Sequence, residues 1–188
     1  MASILDEPAI RQAVFPLSVE FYHQAGELGL LGEDVELLEG TLVTKMPKSP
    51  LHESLVWLLF ELLEGRLPPA LCVLKEAPLT FLRSEPEPDL AVVRGTRQDF
   101  RRGHPTTAEL VIEVAVSTLE LDRRKAAIYA GAGVKEYWVV VPAERCVEVY
   151  REPQTEGYTQ KRTVVAPAIV ESVGVPGLNL ELGELFGA

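Results

Sequence analysis

The sequence predicts an α/β protein with a central mixed β-sheet flanked by helices. Two observations predict this class. Short apolar runs typical of strands recur between about residues 70 and 165, and two helix-forming segments lie before and within that series. The second helical segment joins two apolar runs, which is the pattern of a strand–helix–strand crossover and hence of a parallel strand pair. The other runs follow one another closely, as antiparallel strands do.

A single domain is expected for a chain of 188 residues that is 47% hydrophobic. We divide it into a peripheral N-terminal segment (1–35), a core (35–151) and C-terminal strands (152–188). No apolar run is long enough to span a bilayer, and the N-terminus lacks a signal-peptide pattern, so we expect a cytoplasmic protein without a membrane partner. The net charge of −10 opposes broad nonspecific binding to nucleic acid.

The first half of the core predicts a hairpin, a helix and three strands. "VELLEGTLVTKM" alternates polar and apolar residues around Glu39 and Gly40, which favours an N-terminal hairpin extension. "LHESLVWLLFELLEGRLPP" predicts a largely buried helix, because its apolar residues cover most of the circumference and Gly65 stands at its end. The runs "ALCVLKE", "LTFLR" and "PDLAVVR" then predict strands.

The second half begins with "AELVIEVAV", the most apolar strand candidate. "STLELDRRKAAIYAGAGV" predicts a helix with Ser117 or Thr118 as its N-cap and a glycine at its end. "KEYWVVVP", "RCVEVYRE" and "YTQKRTVV" predict further strands, of which the first is apolar enough to be central. The tail predicts a short strand and a final turn. Cys72 and Cys146 lie in strand-like runs and are expected to be reduced, buried thiols.

Glu113 is a carboxylate in the middle of a strand that the pattern predicts to be buried. An unpaired buried carboxylate costs several kcal/mol or takes up a proton. In one interpretation the strand end is exposed or an arginine pairs with Glu113. In the other, Glu113 binds a hard cation such as Mg²⁺, and Asp89, at the head of a neighbouring strand after Pro88, supplies a second carboxylate.

Lys125 shares one face of the following helix with Asp122 and Tyr129, because the three residues are spaced i, i+3 and i+7. A helix that follows the Glu113 strand returns over it, so Lys125 can project toward Asp89 and Glu113. An ammonium there would orient a water or stabilise charge on a phosphate. The alternative is an ordinary surface pair of Asp122 with Lys125.

Basic residues cluster in two places within this acidic chain and are candidates for contact with a phosphate backbone. The alternative is a solvated loop. The candidates are Arg94, Arg97, Arg101, Arg102, Arg123 and Arg124.

Together these segments resemble a known family. "EPDLAVV" and "AELVIEVAVSTLELDRRKAAIYAGAGVKEYWVVVPAERCVEVYRE" are similar to the Uma-two family of restriction-endonuclease-like proteins, within the PD-(D/E)XK nuclease superfamily. The similarity extends from about Val35 to Arg151. Its most specific part is the order of residues, which runs Pro88, Asp89, Glu113, Ser117, Thr118, Asp122, Lys125, Tyr129, Gly133, Val134, Glu136, Tyr137 and Trp138.

The resemblance implies a restriction-endonuclease-like fold and a site that binds Mg²⁺ or Mn²⁺. It implies Asp89 and Glu113 as metal ligands, and we add the backbone carbonyl of Val114 to this set. The lysine of the superfamily motif would stand two residues after the second acid, where this chain has Ala115, so Lys125 is the expected substitute.

Four further residues complete the predicted site. Glu53, an acid at the start of the early helix, is a candidate for a further metal ligand, with helix capping as its alternative role. His52 could bind a phosphate or a water, with capping again as the alternative. Asp122 and Tyr129 would contact the catalytic residues Asp89, Glu113 and Lys125 and hold them in position.

We therefore expect a Mg²⁺-dependent endonuclease that hydrolyses phosphodiester bonds in DNA, as a homodimer. The alternative is a non-catalytic nuclease-fold module for binding or assembly, which the net charge and Ala115 favour. An acid–base enzyme without a metal is a third hypothesis and requires Glu113 to titrate near neutral pH.

Overall fold

The computed structural model describes residues 7–187. Its helices are α1 (Pro8–Gln12), α2 (Val19–Glu27), α3 (Pro50–Glu64), α4 (Leu119–Gly131) and α5 (Leu182–Phe186). Its strands are β1 (Val35–Leu38), β2 (Thr41–Thr44), β3 (Leu71–Lys75), β4 (Leu90–Arg94), β5 (Leu110–Val114), β6 (Glu136–Val141), β7 (Cys146–Gln154), β8 (Gly157–Val165), β9 (Ile169–Glu171) and β10 (Asn179–Glu181). Across residues 7–187, no helix has both the length and the apolar composition needed to cross a bilayer.

The hairpin of β1 and β2 forms where the alternating pattern predicts it. The two turn residues, Glu39 and Gly40, have φ values of 50° and 80°. A two-residue turn with both residues in the left-handed region matches the twist of the strands that it joins. Leu37, in β1, makes an isolated bridge with Glu85, which holds the hairpin against the rest of the molecule.

Helix α3 begins at a cap that the sequence supplies. The Ser49 hydroxyl accepts a hydrogen bond from the His52 N–H at 3.3 Å, and Pro50 stands in the first turn, where its missing N–H costs nothing. Burying each large apolar side chain contributes roughly 1.5–3 kcal/mol, so the buried face stabilises the helix far more than its cap does. The buried residues are Leu55, Val56, Leu59 and Leu63.

The central sheet has six strands in the order β3-β4-β5-β6-β7-β8. β5 and β6 are parallel and are joined by α4, whereas every other neighbouring pair is antiparallel. The predicted fold class, a mixed sheet flanked by helices with an N-terminal hairpin, is therefore confirmed.

The two faces of the sheet are packed by different helices, and alternation along β5 decides which residue meets which helix. Ile112 and its neighbours on one face pack with residues of α3 and α5. Val111 and Ala115 belong to the other face, where Tyr129 of α4 packs. Glu113 lies between Val111 and Ala115 in this alternation and therefore faces α4.

The strand predicted over residues 79–83 is absent, and this prediction is wrong. Prolines at 78 and 86 flank the segment and cannot donate to a strand ladder. Instead the Phe81 N–H donates to the Ser84 carbonyl at 2.8 Å, which closes a tight turn. The chain from β3 to β4 is thus a loop, and β4 pairs directly with β3.

Gly174 gives a test of the packing between the C-terminal loop and the sheet. A Cβ added to Gly174 would lie 2.0 Å from the carbonyl oxygen of Glu109, so the backbone would have to move. We expect Gly174→Ala to lower the free energy of unfolding by about 1–3 kcal/mol in urea denaturation. A Cβ added to Gly183 would lie at an ordinary 3.6 Å from the Cβ of Pro167, so we expect Gly183→Ala to leave the free energy of unfolding nearly unchanged. Equal losses of unfolding free energy in the two variants would contradict the close packing of Gly174 against Glu109.

Candidate functional site

Asp89 and Glu113 meet because β4 and β5 are antiparallel. Leu90 pairs with Ile112, so the start of β4 lies beside the end of β5. The Glu113 carboxylate accepts a hydrogen bond from the Asp89 N–H at 3.1 Å, and the Asp89 carboxylate accepts one from the Val114 N–H at 2.8 Å. Each acid is thus held by the backbone beside the other acid. The carbonyl of Val114 accepts a hydrogen bond from the Val116 N–H at 3.1 Å.

The other oxygen of Glu113 faces α4. It accepts hydrogen bonds from the Tyr129 hydroxyl at 2.9 Å and from the Lys125 ammonium at 3.2 Å. Burial raises the pKa of Glu113 to about 8, with Lys125 opposing the shift and the neighbouring carboxylates adding to it. The helix face predicted from the spacing of Lys125 and Tyr129 therefore does meet Glu113.

Lys125 bridges two buried acids. Its ammonium lies 3.2 Å from the carboxylate of Glu113 and 3.0 Å from that of Glu36 in β1. Burial lowers the pKa of Lys125, but the carboxylates of Glu113, Glu36 and Asp122 outweigh burial and raise it above its ordinary value. Lys125 is therefore a cation at neutral pH.

Sequence reasoning missed Glu36. The alternation of "VELLEG" assigns Glu36 to the polar face of the hairpin, and a polar face usually meets solvent. Here that side chain is buried, with Lys125 at one oxygen and the Glu87 N–H donating to the other at 3.2 Å. No local pattern marks Glu36, because its burial depends on where the hairpin packs.

Asp122 lines the site from the first turn of α4. Its carboxylate accepts a hydrogen bond from the Thr118 hydroxyl at 2.5 Å, while the Tyr137 hydroxyl donates to its backbone carbonyl at 2.9 Å. Burial raises the pKa of Asp122 to about 6, against the lowering effects of Thr118 and Lys125. The alternative interpretation, an ordinary surface pair of Asp122 with Lys125, does not hold, because both side chains are buried and Lys125 contacts Glu113 and Glu36 instead.

His52 and Glu53 lie side by side at the start of α3 but face different surroundings. Nε2 of His52 lies 3.0 Å from the Asp89 carboxylate, so this ring helps to hold Asp89. Nδ1 of His52 is buried and has no hydrogen-bond partner within residues 7–187. Glu53 is exposed and does not line the cavity, so the structure gives it no contact with the other acids.

A cavity of about 90 Å³ opens between these groups. Four of its carboxylates are buried, and they surround one buried ammonium; the residues are Glu36, Asp89, Glu113, Asp122 and Lys125. The free volume exceeds that of several water molecules, and excess buried negative charge favours a cation. Among the described residues no three histidine, cysteine or acidic side chains converge to hold a metal by themselves. Mg²⁺ uses one or two carboxylates with waters and phosphate oxygens, so the residues present fit it.

Three of the six candidate phosphate-binding arginines are engaged in ion pairs. Arg94 pairs with Glu109 at 2.7 Å, Arg97 with Glu64 at 2.7 Å, and Arg123 with Glu148 at 2.6 Å. The remaining three are exposed and make no ion pair or hydrogen bond to another described side chain; they are Arg101, Arg102 and Arg124. Contact with a phosphate backbone stays a prediction for all six.

Glu36→Gln tests the coupling inside this cluster. The Glu36 carboxylate raises the pKa of both Glu113 and Asp122, so its neutralisation is expected to lower both pKa values. Carboxyl NMR titration of the variant measures this directly. Glu39→Gln, at the exposed turn of the same hairpin, is the matched control and should leave both pKa values unchanged. Identical titrations in the two variants would exclude the coupling.

The same fold occurs in a solved structure. That structure is titled "Crystal structure of a putative nuclease belonging to DUF820 from Anabaena variabilis", and the likeness has a TM-score of 0.74. The two chains are 20% identical, and the match covers 91% of this chain and 98% of the other, so it establishes a nuclease-like fold.

The family follows from the sequence match. The model of the Uma2 family, described as "Putative restriction endonuclease", matches residues 20–183. This chain belongs to that family, and the resemblance noted in its sequence is confirmed. No curated protein matches the chain.

Proposed function

We propose that the protein is an endonuclease that depends on Mg²⁺ or Mn²⁺ and hydrolyses phosphodiester bonds in DNA. One observation carries the proposal: four buried carboxylates and one ammonium surround a small cavity at the edge of the sheet. Membership of a family described as "Putative restriction endonuclease", together with a nuclease-like fold, agrees with this chemistry.

Asp89 and Glu113 would hold the metal, with the carbonyl of Val114 as a third ligand from the chain. Glu53 is left out of this set, because it is exposed and does not line the cavity. When bound, a divalent cation polarises the phosphate and lowers the pKa of a water. The reciprocal hydrogen bonds of Asp89 and Glu113 with the backbone keep both carboxylates in fixed positions. Preorganised ligands of this kind lose little entropy on binding.

Lys125 would orient the attacking water or stabilise the negative charge that develops on the phosphate. Its raised pKa keeps it protonated, so it acts as a donor and a charge and does not remove a proton. Tyr129 holds Glu113, His52 holds Asp89, and Asp122 adds negative charge near the ammonium. These three act through the catalytic residues.

DNA would be held by local basic residues, since the overall charge is negative. Arg101, Arg102 and Arg124 have exposed guanidinium groups for this role. A homodimer is proposed for cutting both strands. Light scattering with and without DNA measures the oligomeric state.

Incubation of the protein with plasmid and with single-stranded DNA, in Mn²⁺, in Mg²⁺ and in EDTA, tests the proposal. We expect cleavage with either metal and none in EDTA. Intact DNA in all conditions, with a protein of unchanged melting temperature, would reject the activity.

A non-catalytic binding or assembly module is the second candidate. One observation favours the module: Lys125 already forms ion pairs with Glu36 and Glu113, as a lysine with a purely structural role would. A melting temperature that neither Mg²⁺ nor Mn²⁺ changes, together with absent cleavage, would support the module.

A further inference from the structure

A second cavity adjoins the acidic one. It has a volume of about 290 Å³ and shares Val116 with the first cavity. The shared residue follows β5, and Pro142 of the second cavity follows β6. Because β5 and β6 are parallel, both residues lie at the carboxyl edge of the sheet, where α/β proteins bind their ligands.

The first turns of α3 separate the two cavities. His52 lines the acidic cavity, whereas Leu51 and Leu55 line the second one. The far wall comes from α5, through Leu185 and Phe186. A group in the second cavity would therefore lie next to a group held by Asp89 and Glu113.

The two cavities differ in charge. Five acidic residues line the first cavity, namely Glu36, Glu87, Asp89, Glu113 and Asp122. The second cavity has apolar side chains and a single charged residue, Arg145. The chain has a net charge of −10, and acidic side chains repel an anionic molecule. Because the lining of the second cavity has no acidic residue, this cavity suits an apolar ring that is part of an anionic molecule.

Two planar groups in the second cavity are held in place by the fold. Arg145 donates from Nη1 to the Phe186 carbonyl at 3.0 Å and from Nη2 to the Gly187 carbonyl. Phe186 packs against the core cluster of the α3 face. Aromatic rings and guanidinium planes are the groups on which proteins stack unpaired bases.

We propose that the second cavity binds the base of a nucleotide that neighbours the cleaved phosphodiester. The inference builds on the proposed nuclease activity and narrows its substrate. A base inside a duplex is stacked between its neighbours and cannot enter a cavity unless it leaves the stack. The preferred substrate is therefore single-stranded DNA or an unpaired nucleotide within a duplex.

Ala143→Trp tests this proposal, because Ala143 is an exposed residue of the lining and a tryptophan at this position fills the cavity. The substitution removes only a small side chain, so few native contacts are lost. The matched control is Ala127→Trp, at an exposed alanine of α4 that lines neither cavity. Binding is measured in EDTA by fluorescence anisotropy, with a short single-stranded oligonucleotide, its duplex, and versions that carry one abasic site at successive positions.

We expect the wild-type protein to bind the single strand roughly tenfold more tightly than the duplex, the size of one stacking contact. One abasic position should lose about the same factor. Ala143→Trp should bind the intact single strand as weakly as the wild type binds that abasic strand, and should not respond to the abasic site. Ala127→Trp should behave as the wild type.

Equal binding of single strand and duplex, or no effect of any abasic site, would overturn the base cavity. Leu51→Glu, an exposed position on the rim, adds an acid to the lining and provides a second variant if Ala143→Trp melts early. It should also lose about tenfold, and unchanged affinity in a folded Leu51→Glu protein would count against the proposal. Cleavage in Mn²⁺, measured in parallel, separates the two claims: cleavage without abasic sensitivity rejects only the base cavity, and abasic-sensitive binding without cleavage rejects only the activity.

Discussion

Asp89→Asn is expected to reduce Mn²⁺-dependent DNA cleavage by at least about a thousandfold, which corresponds to about 4 kcal/mol of transition-state stabilisation. The amide is neutral and binds a hard cation weakly, whereas its oxygen can still accept the hydrogen bond from the Val114 N–H. The variant should therefore fold, and its melting temperature in EDTA should stay close to that of the wild type. Glu113→Gln should lose cleavage to a similar extent.

Metal binding should change together with cleavage. The wild-type melting temperature is expected to rise with added Mn²⁺, because a ligand that binds only the folded state stabilises it. That rise should disappear in Asp89→Asn. Glu87→Gln is the matched control, since Glu87 lines the same cavity but pairs with Lys45 at 2.7 Å. Full cleavage by Asp89→Asn, or loss of the Mn²⁺ effect in Glu87→Gln alone, would contradict the assignment of the ligands.

Much of this site could be predicted from the sequence because strand pairing and helix periodicity are local rules. Glu113 stands out as an acid in an apolar strand, and an antiparallel neighbour that begins at Asp89 brings the two together. The spacing of Lys125 and Tyr129 places both on one helix face, and the crossover of α4 brings that face over β5.

What could not be predicted depends on contacts between distant segments. Glu36 is polar in an alternating hairpin, and only the packing of that hairpin on α4 turns it inward. The wrong strand at residues 79–83 has a local cause instead, because the prolines that flank this segment are visible in the sequence and disfavour a strand ladder. The second cavity combines α3, the ends of β5 and β6, and α5, which are widely separated in the chain.

The position of the lysine also has a structural account. Ala115 is buried among the apolar residues that α4 covers, so an ammonium carried by residue 115 would need space that the packing occupies. Lys125 reaches Glu113 from α4 instead. The site therefore has a lysine beside its acids, although the lysine is carried by a different element from the one that the superfamily motif uses.

Lys125→Met is expected to destabilise the protein by about 3–5 kcal/mol near pH 9, because it leaves buried carboxylates without their partner. The loss should be smaller near pH 6. With a pKa of about 8 in the folded state and 4.5 as the ordinary value, Glu113 binds a proton in the folded chain that the unfolded chain has released. The contribution of Glu113 to the free energy of unfolding is thus greatest below pH 4.5 and falls as the pH rises toward 8. Lys125 lowers the pKa of Glu113, so its removal extends this fall to higher pH.

Urea denaturation at several pH values measures this effect, with Lys135→Met as the matched control. Lys135 is half exposed and pairs with Glu109 at 2.6 Å, so its removal should cost less than about 1 kcal/mol at every pH. If the carboxylates form a cation site, Mn²⁺ should replace the missing ammonium in part and stabilise Lys125→Met more than it stabilises the wild type. A loss that is independent of pH and indifferent to Mn²⁺ would mean that Lys125 acts only through its packing. The pH dependence and the metal response thus decide together whether the charge at residue 125 belongs to a cation site.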